Sequence, residues 1–188
     1  MIKDRLKKQK IGTVIKQDTL ENQVNTSYLG IGSNLGNKKI YIEKAKYLLE
    51  TSSIKIIKCS SYYESPSWPN NNYPSYYNIV IKVKTNLTSS ELFIEIKKIE
   101  KFLGRVKTKK NTPRTCDIDI IDFNGKILSF KINNDFIGIP HPRLSERNFV
   151  LIPLFEINKK WLHPKNKKKI SHLINKLGFK SLSSIKQI

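Results

Sequence analysis

Residues Cys116-Asp117-Ile118-Asp119-Ile120-Ile121 set the tightest limit on how this chain can fold. Side chains alternate faces along a strand, so Cys116, Ile118 and Ile120 share one face while Asp117 and Asp119 share the other. The apolar face has to be covered by other elements. The acidic face resists unpaired burial, because two desolvated carboxylates repel each other and cost several kcal/mol or more. A sheet with helices on one side and an open side carrying both acids meets the two demands. On that open side the acids either pair with nearby lysines or hold a hard cation. Mg²⁺ commonly takes one or two protein carboxylates and fills its other positions with water and substrate phosphates.

The flanking segments weigh on that choice. Upstream, Arg105-Val106-Lys107-Thr108-Lys109-Lys110-Asn111-Thr112-Pro113-Arg114 is basic and contains a proline, so it reads as a loop. Downstream, Ile139-Pro140-His141-Pro142-Arg143 and then Arg147 add a histidine and two guanidiniums. Arginine grips phosphate through two parallel hydrogen bonds. Cations on both sides of an acidic pair therefore favour a polyphosphate held between metal and basic groups.

Periodicity supplies the elements around this strand. A short strand from Ser27 runs into Ser33-Asn34-Leu35-Gly36, and a helix is expected from about Asn37 to Glu50, with Tyr41, Ala45 and Leu48 at helical spacing. Residues 54–61 and 76–85 alternate as strands, the second with Ile79, Ile81 and Val83 on one face and Lys82 and Lys84 opposite. The next helix is the best marked. Thr88 and Glu91 form a capping box, Leu87 and Leu92 can staple across it, and Gly104 sits where a C-terminal cap belongs. Its stripe is Leu92, Ile96, Ile99 and Leu103. The acidic strand follows, giving the order β-α-β-β-α-β, an α+β ferredoxin-like sandwich. From Gly125 the chain reads as an added hairpin, a loop through His141, a short helix near 148–155 and a basic C-terminal helix. Residues 1–26 read as a basic N-terminal extension, and residues 27–188 as one domain.

Composition bounds the function more loosely. The net charge of +20 over 188 residues fits a nucleic-acid binder, an enzyme with a polyanionic substrate, or surface drift toward lysine. No apolar run approaches the roughly 20 residues that span a bilayer, and the start lacks the apolar core of a signal peptide, so no membrane partner and a cytoplasmic location are expected. Cys59 and Cys116 lie in strand-like runs without zinc-site spacing and read as small core residues.

Further blocks carry a family resemblance. Tyr28-Leu29-Gly30-Ile31-Gly32-Ser33-Asn34-Leu35-Gly36, Glu64-Ser65-Pro66, Tyr76-Tyr77-Asn78, Glu100 through Arg105, Pro113-Arg114-Thr115-x-Asp117-x-Asp119, Pro140-His141-Pro142-Arg143 and Arg147-x-Phe149-Val150-Leu151 occur in order. Together they resemble the 6-hydroxymethyl-7,8-dihydropterin pyrophosphokinases of folate biosynthesis. The resemblance implies diphosphate transfer from ATP to the pterin hydroxymethyl oxygen with release of AMP, and two Mg²⁺ ions held by Asp117 and Asp119. It implies Arg105, Lys107, Arg114, His141, Arg143 and Arg147 around the triphosphate, with Glu100 near the nucleotide. It places the pterin between Tyr76 and Phe149, read by Asn78 and flanked by Ser65, Pro66 and Trp68. A monomer is expected, with ATP and the pterin as its partners and no nucleic acid.

The chain departs from the family in the loop before Pro113, which carries Asn111 and Thr112 and is about one residue short. Lys107 stands for a frequent arginine, and Gly138 for an occasional hydroxyl residue. Two other readings stay open: an RNA-binding ferredoxin-like module, which predicts aromatics rather than paired aspartates on the open face, and a nucleotide-binding pseudoenzyme.

Overall fold

The computed structural model describes residues 24–106, 112–132 and 135–188. The elements run β1 (Asn25–Ser33), α1 (Lys38–Thr51), β2 (Lys55–Cys59), β3 (Tyr63–Ser65), β4 (Tyr76–Thr85), α2 (Ser89–Phe102), β5 (Asp117–Phe123), β6 (Leu128–Ile132), β7 (Asp135–Ile139), a 3-10 turn (Leu144–Glu146), α3 (Asn148–Ile157), α4 (Ile170–Asn175), α5 (Phe179–Ser183) and β8 (Lys186–Gln187). The expected N-terminal extension lies outside the described residues except for its last three, and β1 begins inside it, at Asn25.

β1 is the centre of the sheet, antiparallel to β4 on one side and β5 on the other, and β2 pairs with the far edge of β4. The order β5-β1-β4-β2 is the antiparallel arrangement of a ferredoxin-like sandwich. The strand expected over 54–61 stops early. At Ser60 the side-chain hydroxyl accepts the Val80 N–H at 3.0 Å, and the chain resumes pairing with β4 as β3. β2 is an edge, with a register shift between Ile56 and Lys58, and this leaves Cys59 exposed rather than in the core; Cys116 is buried as expected.

α1 and α2 cover one face. Thr88 Oγ1 accepts the Glu91 N–H while Glu91 Oε2 accepts the Thr88 N–H at 2.8 Å, closing the capping box. Gly104 has φ +82, the left-handed cap that glycine adopts without penalty. Leu92, Ile96, Ile99 and Leu103 are buried against Leu29, Ile31, Ile118 and Ile120. Each such fully buried aliphatic stabilises the fold by roughly 1.5–3 kcal/mol. On α1 the buried stripe is Ile42, Ala45 and Leu49, with Tyr41 and Leu48 at its margin, one position round the helix from the expected stripe.

The opposite face is not open along its whole length. α3 and α4 pack Val150, Leu151, Leu154 and Leu173 over Tyr28, Val80 and Ile121 in a second core. Its uncovered remainder is the part of the face that carries Asp117 and Asp119. The expected single C-terminal helix is instead two short helices and a strand, β8, which pairs with β3. Among the described residues no helix is long and apolar enough to cross a membrane.

Candidate active site

A cavity of about 660 Å³ opens over the uncovered end of the sheet. Its floor is the cross-strand register of three strands. Gly30 sits opposite Asp119 on β5 and Val80 on β4, and Gly32 opposite Asp117 and Asn78. A Cβ on Gly32 would lie 3.0 Å from Asn78 Oδ1 and 3.5 Å from Tyr76 Cδ1, so only glycine leaves this floor clear. Two glycines spaced by two inside a strand are the sequence sign of a close approach by a ligand or another backbone. They stood in the motif without a role of their own.

The carboxylates are held by guanidiniums. Asp117 lies 2.7 Å from Arg105 Nη1 and 3.1 Å from Arg114 Nη1, and Asp119 lies 2.8 Å from Arg147 Nη1. Burial alone would push the Asp119 carboxyl up, but Arg147, with His141 and Lys97 beyond it, holds it below the usual carboxylate range. Asp119 therefore stays ionised at neutral pH. The His141 imidazole is held below its ordinary value by burial and by Arg147.

Local structure fixes the cations. Asn34, in the turn after β1, accepts the Arg114 N–H at 2.8 Å, donates its own N–H to the Arg114 carbonyl at 3.2 Å, and donates Nδ2 to the Pro74 carbonyl at 3.1 Å. One side chain thus ties the basic segment before β5 to the entry of β4. Arg147 immediately precedes α3, with its guanidinium 5.5 Å from the Phe149 ring centroid.

The other expected residues divide clearly. Ser65, Pro66, Trp68, Tyr76, Asn78, Arg105, Arg114, Asp117, Asp119, His141, Arg143, Arg147 and Phe149 all line the cavity. Asn78 donates Nδ2 to Ser65 Oγ at 2.9 Å, and burial pushes the Tyr76 phenol up. Trp68 is exposed at the rim, where the Arg143 guanidinium lies 5.1 Å from its ring centroid. Lys107, with most of the shortened loop, lies outside the described residues.

Glu100, expected near the nucleotide, does not itself line the cavity but contacts two cations that do. It is buried under the acidic strand, accepting the Ile118 N–H at 2.7 Å and pairing with Lys97 at 2.8 Å and with Arg105. Burial raises its carboxyl above the usual range against the pull of those two cations. Its place is to brace β5 and Arg105 from below. Sequence reasoning missed Lys97, Asn148, Ser181 and Ser184, which also line the cavity. Nothing in their local sequence distinguishes them from surface residues.

A second recess adjoins the first. It has an apolar bed of Phe93, Ile118, Ile120, Phe136 and Ile137, and it shares Lys97, Asp119, His141 and Arg143 with the main cavity. Asp119 thus lies where the two recesses meet, with Asp117 on the main-cavity side of it.

The family model described as 7,8-dihydro-6-hydroxymethylpterin-pyrophosphokinase (HPPK) matches residues 28–159, which include every described element of the site from β1 to α3. The chain belongs to this family. The 2-amino-4-hydroxy-6-hydroxymethyldihydropteridine pyrophosphokinase of Aquifex aeolicus is 41% identical over 139 residues, covering 74% of this chain and 84% of that one. The folic acid synthesis protein fol1 of Pneumocystis carinii is 41% identical over 146 residues, 77% of this chain but only 19% of that much longer protein. In fold, the HPPK domain resembles a crystal structure of wild-type Plasmodium falciparum HPPK-DHPS with pterin and p-hydroxybenzoate. There the TM-score is 0.71 at 18% identity, over 90% of this chain and 47% of that one. At that identity the likeness concerns the fold alone.

Proposed function

We propose that this HPPK chain transfers diphosphate from ATP to the hydroxymethyl oxygen of 6-hydroxymethyl-7,8-dihydropterin. The hydroxymethyl group gives up its proton to solvent as its oxygen bonds to the β-phosphorus, the bond from that phosphorus to the α-phosphate oxygen breaks with its electron pair left on that oxygen, and AMP leaves. One observation carries the reading: an acidic pair held by Arg105, Arg114 and Arg147 lines the main cavity, and one of the two, Asp119, stands with His141 at the junction with the second recess. A reaction that joins two substrates through a polyphosphate needs that layout.

The aromatic and amide-lined main cavity suits the pterin. Tyr76 and Phe149 offer ring faces, a favourable setting for offset stacking, and Asn78 and Ser65 offer polar partners for the ring edge. The apolar second recess suits the adenine, with the triphosphate lying toward Asp119, Lys97 and His141.

The donor set fits Mg²⁺. Among the described residues no three His, Cys, Asp or Glu side chains gather into a closed metal cage, and two carboxylates beside a phosphate site leave room for water and substrate oxygens. Two ions on Asp117 and Asp119, when bound, would polarise the β-phosphorus and offset charge on the departing oxygen of AMP. Before that, Arg105 and Arg114 neutralise Asp117, and Arg147 neutralises Asp119. With both carboxylates holding cation, Arg114 and Arg147 would be available to grip phosphate oxygens, while Arg105 keeps its pairing with Glu100. Phosphoryl-type transfer depends on this positioning and charge neutralisation rather than on covalent chemistry by the protein.

The test is AMP formation from ATP and Mg²⁺, with and without the pterin, in wild type and Asp119→Ala. Pterin-dependent AMP in wild type, lost by a factor of about 10³ in the variant, is expected. Wild type that binds ATP yet forms no AMP would identify a pseudoenzyme instead.

A further inference from the structure

We infer that residues 178–188 form a strap that sets the width of the pterin slot, with Asn148 as the positioning residue that anchors it. This rests on the functional reading above. Asn148 is buried between Arg147 and Phe149 at the start of α3. Its Nδ2 donates to the Ser181 carbonyl at 2.5 Å and to Ser184 Oγ at 3.1 Å. The Ser181 carbonyl can only accept, so the amide nitrogen has to face the strap.

The other end of the strap is tied across the cavity. In β8, Gln187 pairs with Tyr63 and Lys186 with Glu64, the Ile188 N–H donates to the Tyr62 carbonyl at 3.0 Å, and Gln187 Nε2 donates to Ser61 Oγ at 3.0 Å. The strand it grips, β3, ends at Ser65, which lines the cavity and holds Asn78. One short segment therefore links the wall that carries Ser65 and Asn78 to the helix start that carries Phe149. Ser181 and Ser184 line the cavity between them. The nucleotide recess shares no residue with the strap.

A strap so placed fixes the pterin slot and leaves the nucleotide chamber alone. Asn148→Asp keeps the shape but replaces the donor with a carboxylate that repels the Ser181 carbonyl. A chain ending at Ser184 keeps Asn148's partners and removes β8. Both are measured well below their melting temperatures, using pterin fluorescence with Mg²⁺ and a non-hydrolysable ATP analogue. The pterin Kd should rise about tenfold in each variant, the worth of one well-made hydrogen bond, while the Kd for the analogue alone stays within about twofold. In turnover the loss should fall on the pterin KM and leave kcat at saturating pterin near wild type. Unchanged pterin affinity in both variants, even with a lower melting temperature, would overturn the inference and leave the strap a stabilising element only. Equal weakening of both ligands would overturn it too, as general loosening. A wild-type protein that binds no pterin would instead overturn the functional reading and take this inference with it.

Discussion

At the scale of single residues, the site is built as much from what is missing as from what is present. Gly30 and Gly32 face the cavity opposite the two aspartates, and the absent side chains are the floor. Gly32→Ala puts a methyl 3.0 Å from Asn78 Oδ1, which forces Asn78 off Ser65 and intrudes on the slot. Pterin affinity should fall by about tenfold or more, read by fluorescence titration, while the melting temperature changes little because the strand stays paired. The clustering of the aspartates with the arginines was legible from the sequence because charge beside charge in a strand has few structural explanations. Glu100 was legible only as present. Its carboxylate belongs to the underside of β5, and no local pattern tells an inward from an upward acid at the end of a helix.

Helix α2 was readable at element scale from cap to cap, because its signals are local: Thr88, Glu91, the four-residue stripe and Gly104. Thr88→Ala should remove about 1 kcal/mol of stability by freeing the Glu91 N–H, while the Glu91 carboxylate keeps the backbone N–H of residue 88, lowering the urea midpoint without changing the KM for either substrate. Edge strands were less readable. Ser60 ends β2 by taking the Val80 N–H, a choice made by a residue twenty positions away, and the expected strand stops short while an unexpected one, β3, follows it. The same edge position leaves Cys59 exposed, although its sequence context matches that of buried Cys116.

Across the whole molecule, the second core joins the sheet to everything after β7, and it contains a buried acid. Asp122 is buried, accepting Trp161 Nε1–H and the Gly125 N–H, each at 2.7 Å, yet burial outweighs these bonds and pushes its carboxyl above the usual range. The folded state thus holds this proton more tightly than the unfolded chain. Ionising this carboxyl therefore costs stability as pH rises through its raised value, and the cost is relieved as pH falls back through it toward the ordinary aspartate value of about 4. Asp122→Asn keeps an oxygen for Trp161, gives up the acceptor of the Gly125 N–H and removes the titration. The variant's urea midpoint relative to wild type should therefore stand highest at pH 7 and fall as pH falls toward 4. A relative midpoint that rises on acidification would contradict this sign.

What the sequence determined by itself was the β-α-β-β-α-β order of the sandwich, the two capped ends of α2 and the acidic pair on one face. Each of these follows from alternation, helical period or adjacent like charges, and needs no distant partner. Tertiary structure decided which part of the second sheet face stays open. α3 and α4 bury Tyr28, Val80 and Ile121, while Asn148 holds Ser181 and Ser184 at the cavity wall, and both arrangements depend on contacts between residues up to 130 positions apart. A hydrogen bond from Asn158 to Tyr28, or from Asn148 to Ser181, leaves no trace in either local sequence. The amide serves equally well on a surface, and only the fold brings its partner within reach.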